Sequence, residues 1–252
     1  MPTPAEPRLI LHAALDEPVR DLAPVHAWLC DLDDEQSHAG VDESTLAPDE
    51  QQRGARLLDP VQRRRWLHGR AAVRSVLGRL LGLPAGDVEF IANEHGKPRL
   101  QFPRACGSRP APPLHVNWSH SANVLLLAAT VSGELGVDVE VPDPTVDALA
   151  IAQTHFTRAE VDALRALAGA ERIAAFYRCW TMKEAVLKAL GTGLSAALGR
   201  VGVVPTAREG NLIVNLDGER ITQSSPWRIF TPAFATAPAT VSAIAVKLKR
   251  LP

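Results

Sequence analysis

A mixed α+β fold is what this sequence predicts, and three observations predict it. Two long stretches, around Trp66 and Trp180, carry helical spacing between recognisable start and stop signals. The remaining apolar segments are mostly short and separated by turn residues, as strands are. The two kinds of element alternate without the regular strand–helix–strand rhythm of a doubly wound sheet. A faint internal echo accompanies them. "WLHGRAAVR" and "WTMKEAVLK" share a Trp, an Ala five residues on and a basic residue eight residues on. So short a match can arise by chance; as a true repeat it would mean two related halves meeting near residue 134.

Taken in order, residues 1–8 are Pro-rich and read as a frayed end. "DPVQRRRWLHGRAAVRSVLGRLLGLP" predicts a helix, with Asp59 as N-cap, Pro60 in the first turn, and Gly82 and Pro84 ending it. "DVEFIANEHGKPRLQF" predicts two short strands joined at "NEHG", and "RACGSRPAPPL" a loop. "LHVNWSHSANVLLLAATVSGELGVDVEV" predicts a strand, a polar break, and then a hairpin turning near Ser132 and Gly133. Thr157 and Glu160 stand in capping-box spacing at the start of one helix. A second helix is expected from about Glu171 to Leu190. "LIVNL", "WRIF" and "VSAIAVKLK" read as strands.

Over 252 residues, an apolar fraction of 46% and a charged fraction of 22% provide a sizeable core for one large domain or two small ones. A formal net charge of −1 argues against a general nucleic-acid binder, which needs a basic excess. The longest apolar run, around "VLLLAATV", is far below the roughly 20 residues that span a bilayer. The first residues lack the basic-then-apolar pattern of a signal peptide. Cys30, Cys106 and Cys179 are scattered and odd in number, which suits a reducing compartment. A soluble, cytoplasmic protein is the expectation.

Several residues stand out chemically, each with a plainer alternative beside it. Asp138 and Glu140, two apart on a strand, project from one face while Val137, Val139 and Val141 point to the other. They are either a solvated face or a pair whose repulsion a hard cation relieves. Magnesium fits, since it takes one or two carboxylates and completes its shell with water and phosphate. On the helix of "CWTMKEAVLKALGTGL", Cys179, Met182, Val186 and Leu190 form an apolar face, and Glu184 and Lys188 fall opposite it. They form either a surface pair worth roughly 0.2–0.5 kcal/mol or a carboxylate and ammonium set to act on a phosphate. His120 in "NWSHS" is either a structural histidine or a phosphate contact. Ser119 beside it points to the opposite strand face, and no G-x-S-x-G elbow is present, so Ser/His nucleophilic chemistry is disfavoured. "GKP", at Gly96, Lys97 and Pro98, is an ordinary turn or a ligand contact. Arg53, Arg56 and Arg63 to Arg65 are a solvated face or a phosphate grip.

Together and in this order, "GKP", "NWSHS", "GVDVE" and "WTMKEAVLKALGTGL" resemble the 4'-phosphopantetheinyl transferases, in particular the larger, monomeric type that activates carrier domains of peptide and polyketide synthases. The resemblance covers roughly Arg53 to Gly193 and is weak over the first and last fifty residues. It implies two similar α+β subdomains, here 1–134 and 135–252, related by a pseudo-two-fold with coenzyme A in the cleft between them. It implies Asp138, Glu140 and Glu184 as magnesium ligands, with Glu184 and Lys188 catalytic. It places Arg53, Arg65, Gly96, Lys97, Pro98, Ser119, His120, Lys183 and Lys188 on coenzyme A, with Arg65 at the 3'-phosphate and "GKP" beside the adenine. Glu50 stands where the family has a second basic residue, a departure for which Arg56 is a candidate substitute. The implied partner is an acidic apo acyl or peptidyl carrier protein, docking against the segment from Val141 to Leu167. A non-catalytic coenzyme A binder and a metal-dependent phosphoesterase are the rival readings of the same residues.

Overall fold

The computed structural model describes residues 9–12, 21, 23–34, 41–101, 113–193, 198–203, 214–222, 225–234, 237 and 239–248. The Pro-rich start, nearly all of the "RACGSRPAPPL" loop with Cys106, and the first part of "LIVNL" lie outside them. In chain order the first part contains β1 (Leu9–His12), β2 (Val25–Asp31), α1 (Pro48–Ala55), α2 (Pro60–Leu81), β3 (Glu89–Ala92), β4 (Pro98–Gln101), β5 (His115–Ser121) and β6 (Val124–Thr130). The second contains β7 (Gly133–Glu140), α3 (Ala148–His155), α4 (Arg158–Arg165), α5 (Gly169–Leu190), β8 (Val201–Val203), β9 (Val214–Leu216), β10 (Glu219–Arg220), β11 (Trp227–Phe230) and β12 (Val241–Leu248).

Two long helices and two sheets stack in four layers, and β3-β4 and β10-β9-β8 form two smaller sheets beside them. One sheet has the order β1-β2-β6-β5, with β1 parallel to β2 and the rest antiparallel. Its first face, Trp28, Cys30, Leu125 and Leu127, packs on α2 through Ala72, Val73, Val76 and Leu77. Its second face, Val25, Ala27, Leu126 and Ala128, packs on Val137, Val139, Ile244 and Val246 of the antiparallel sheet β11-β12-β7. The far side of that second sheet, including Ala243 and Ala245, packs on α5. Every residue of β6 is therefore buried, which explains why "VLLLAAT" is a continuous apolar run rather than an alternating one.

Both long helices form as predicted. Asp59 caps α2 by accepting the backbone N–H of Val61 at 2.8 Å and of Gln62 at 3.2 Å. Gly82 (φ 66°) and Gly191 (φ 69°) end α2 and α5 in the left-handed region that glycine adopts without strain. The Thr157–Glu160 capping box is made. One expectation is corrected. No hairpin turns at Ser132 and Gly133: β7 leaves the first sheet and pairs with β12 in the second. The hairpin lies instead at the polar break, where Ala122 (φ 51°) and Asn123 join β5 to β6. Gly133 marks the crossing, because a side chain there would collide with the backbone of Lys247.

Candidate active site

The geometry of the site begins with a missing side chain. At Gly136 a Cβ would collide with the backbone of α5 at Ala185 and Ala189, so helix and strand meet backbone to backbone. That close approach brings β7 and the last turns of α5 within side-chain reach. Lys188 Nζ donates to Asp138 Oδ1 at 2.6 Å and to Ser119 Oγ at 3.1 Å, and Ser119 Oγ donates to the same Asp138 oxygen at 2.9 Å. Asp138 is 3% exposed, and its Oδ2 is buried without a hydrogen bond. Ser121 Oγ donates to Glu140 Oε2 at 2.6 Å.

These contacts come from the pleat of β5. Asn117, Ser119 and Ser121 share one face of that strand and reach across to β7, Asn117 Oδ1 accepting the N–H of Val137 at 2.8 Å. The edge of the first sheet is thereby stitched to the edge of the second through side chains. Trp118 and His120 point the other way.

Burial governs the electrostatics. It raises the carboxyl of Asp138 above its ordinary range against the pull of Lys188, and raises Glu140 against the hydrogen bond from Ser121, with Asp138 adding to the rise. Glu184, 5% exposed, is pushed up to about 7 by burial, opposed by Lys188 and reinforced by the charges of Asp138 and Glu140. Three acids thus share one field with one ammonium. The plain alternatives of a solvated strand face and a surface Glu–Lys pair do not hold, since Asp138 and Glu184 are both buried.

Beside this cluster lies an open groove of about 900 Å³, walled by α1, α2, the β3–β4 hairpin and β5. His120 lines it, and lost hydration together with the charges of Lys188 and Arg53 lowers its pKa. His120 therefore lies on the groove side of β5 and within the field of Lys188. Arg53, Gly96 and Pro98 also line the groove. Arg53 lies 5.7 Å from the Trp66 ring centroid and has no carboxylate partner among the described residues.

Five of the residues expected on coenzyme A do not line this groove, Lys188 on Asp138 and four others. Arg65 is bound to Asp33, its Nε at 2.9 Å, and does not line the groove. On α2 the groove-facing row is Trp66, Arg70 and Arg74, four residues apart, and Arg65 is about 100° around the helix from it. Lys183 has no exposure at all: it pairs with Glu160 at 2.9 Å and donates to the carbonyls of Leu198 and Val201. Lys97 is held by Glu134 and the carbonyl of Ala189, and Ser119 faces Asp138 behind the groove wall. Arg56 does not line the groove either.

The sequence reading missed how Glu50 is used. Its carboxylate, lowered by Arg70 against the opposing effect of burial, accepts from Arg70 Nε at 2.8 Å and Arg74 Nε at 2.6 Å. Arg70 in turn stacks 4.6 Å from the Trp118 centroid. The four-residue spacing of Trp66, Arg70 and Arg74 was the available signal. Cys30 and Cys179 are buried, and burial pushes Cys179 up to about 12, which makes it a packing residue rather than a nucleophile.

Among the described residues no group of three His, Cys, Asp or Glu side chains is gathered tightly enough to hold a metal ion. The donors are nonetheless of the right kind: all are carboxylates, and the buried Asp138 Oδ2 lacks a partner, which suits a hard divalent cation.

A family model described as the 4'-phosphopantetheinyl transferase superfamily matches residues 134–236. The 4'-phosphopantetheinyl transferase HetI of a Nostoc species is 38% identical over 186 residues, 73% of this chain and 76% of its own length. This chain belongs to the 4'-phosphopantetheinyl transferase superfamily. The Bacillus subtilis family member Sfp is 32% identical over 160 residues, 64% of this chain and 66% of its own. The profile match to the family spans β7 and α5, the two elements that bear the acids and Lys188.

Proposed function

We propose that the chain transfers the 4'-phosphopantetheine group of coenzyme A to a serine hydroxyl of an apo acyl or peptidyl carrier protein. The serine oxygen bonds to the β-phosphorus, the bond from that phosphorus to the bridging oxygen breaks, and 3',5'-ADP departs with the electron pair. The observation that carries the reading is the buried set of Asp138, Lys188 and Glu184 on one side of β5, with His120, on the groove side of that strand, within the field of Lys188. Arg53 and His120 supply positive and hydrogen-bonding groups for the phosphates, and Gly96 and Pro98 form a wall for the adenine. Glu184, with its pKa near neutrality, accepts the serine proton. Lys188 offsets charge on the departing phosphate. Asp138, Glu140 and Glu184 would hold magnesium, which supplies charge neutralisation at the diphosphate when bound.

The two stacked sheets, each with its own 22-residue helix, support a division into 1–134 and 135–252 related by a pseudo-two-fold. The carrier docks against the segment from Val141 to Leu167, and the protein acts as a cytoplasmic monomer. Among the described residues no helix is long and apolar enough to cross a membrane. Intact-mass spectrometry of an apo carrier incubated with the protein, coenzyme A and magnesium tests the reading. Gain of one phosphopantetheine is expected. Intact coenzyme A with an unchanged carrier would make the chain a binder only, and cleaved coenzyme A with an unchanged carrier would make it a phosphoesterase.

A further inference from the structure

The β3–β4 hairpin helps to wall the groove, yet its turn reaches past the groove to the catalytic helix. Asn93 Nδ2 donates to the carbonyl of Gly191 at 2.9 Å. Lys97 Nζ donates to the carbonyl of Ala189 at 2.9 Å and pairs with Glu134 at 2.8 Å. Both carbonyls belong to the C-terminal end of α5, where helix carbonyls lack partners and carry the negative end of the dipole. Glu134 lies at the start of β7. One lysine therefore ties the end of the helix bearing Glu184 and Lys188 to the start of the strand bearing Asp138 and Glu140. The fit is close, since a Cβ at Gly191 would stand 3.0 Å from both Asn93 Nδ2 and Lys97 Cδ. The turn itself is held by Asn93 Oδ1, which accepts the N–H groups of His95 and Lys97. On the other side of this turn, Gly96 and Pro98 face the groove.

We propose that Lys97 and Asn93 are positioning residues that clamp the last turn of α5 to β7, so that Lys188 stays on Asp138, and that the Lys97 ammonium is engaged there rather than on a phosphate of coenzyme A. The proposal rests on the transfer reading of Lys188 and Glu184. Lys188 immediately precedes Ala189, so a tilt of this turn moves its ammonium away from the reacting phosphate. A displacement of about 1 Å can cost 10²-fold in rate.

The test uses full-length Lys97→Met, Lys97→Arg and Asn93→Asp, each assayed for kcat, KM for coenzyme A, calorimetric affinity for coenzyme A, and thermal midpoint. Lys97→Met is expected to lower kcat roughly 10- to 100-fold while KM and affinity change less than about twofold, and Lys97→Arg to recover most of the loss. Asn93→Asp keeps the acceptor that folds the turn and replaces the donor to Gly191 with a carboxylate oxygen that repels its carbonyl. It is expected to lower kcat in the same direction, and it carries the test if Lys97→Met does not fold. Weakened coenzyme A binding at unchanged kcat, or unchanged kcat with only a lower thermal midpoint, overturns the proposal. A wild-type protein that fails to load any carrier instead overturns the transfer reading. The clamp is then read by amide hydrogen exchange, which is expected to quicken at Ala189 to Gly191 in Lys97→Met; unchanged exchange overturns it.

Discussion

Burial displaces the protonation equilibrium of the Glu184 carboxyl. Its folded value of about 7 stands above its ordinary 4.5, chiefly through burial, so the folded chain binds this proton more tightly than the unfolded chain. The resulting contribution to stability is complete below about 4.5 and is lost as pH rises through about 7. Without divalent cations, wild type is expected to lose about 3 kcal/mol relative to Glu184→Gln between pH 4.5 and 8. Parallel denaturation curves across that range would show that Glu184 is not held in this way. Lys183, one residue earlier, has a different role. Removing one partner of its buried pair with Glu160 is expected to cost about 3–5 kcal/mol in Lys183→Met. KM for coenzyme A should be unchanged in the fraction that folds, and urea denaturation with steady-state kinetics checks both. A motif places these two residues side by side, but a helix rotates them about 100° apart. Periodicity finds the face shared by Glu184 and Lys188; it does not say that the neighbouring lysine will be sealed against Leu198 and Val201.

The decisive contact among elements is α5 lying on β7 at Gly136. Gly136→Ala is expected to push the helix off the strand, costing about 3 kcal/mol or more and lowering transfer along with the thermal midpoint. A variant with unchanged stability and turnover would mean that the close approach is unnecessary. Helices α2 and α5 were legible because their signals are local: Asp59 and Pro60 at one start, and Gly82 and Gly191 at the ends. Helix α1 was not read, and neither were β1, β2 and α3. Only four residues make up β1, and its place is set by pairing with β2 rather than by its own pattern. The turn at Ser132 and Gly133 was misread for a related reason. Hairpin chemistry looks alike whether a strand folds back on its neighbour or crosses to another sheet, and only the distant β12 decides.

The whole molecule places a groove and an acid cluster on opposite sides of β5. The two sheets share a dry interface of Val137, Val139, Leu126 and Ile244, while Asn117, Ser119 and Ser121 bridge their edges. The motif residues told which chemistry to expect; the bridging between β5 and β7 depends on packing that no local pattern encodes. Arg65 illustrates this, because its partner Asp33 lies in an unread part of the chain. The acid cluster is central, and turnover of an apo carrier by Asp138→Asn and Glu184→Gln under saturating coenzyme A and magnesium tests it most directly. Both variants are expected to bind coenzyme A, keep their circular dichroism, and lose at least about 100-fold in kcat. Near-normal carrier loading by either folded variant would contradict the central role of these carboxylates.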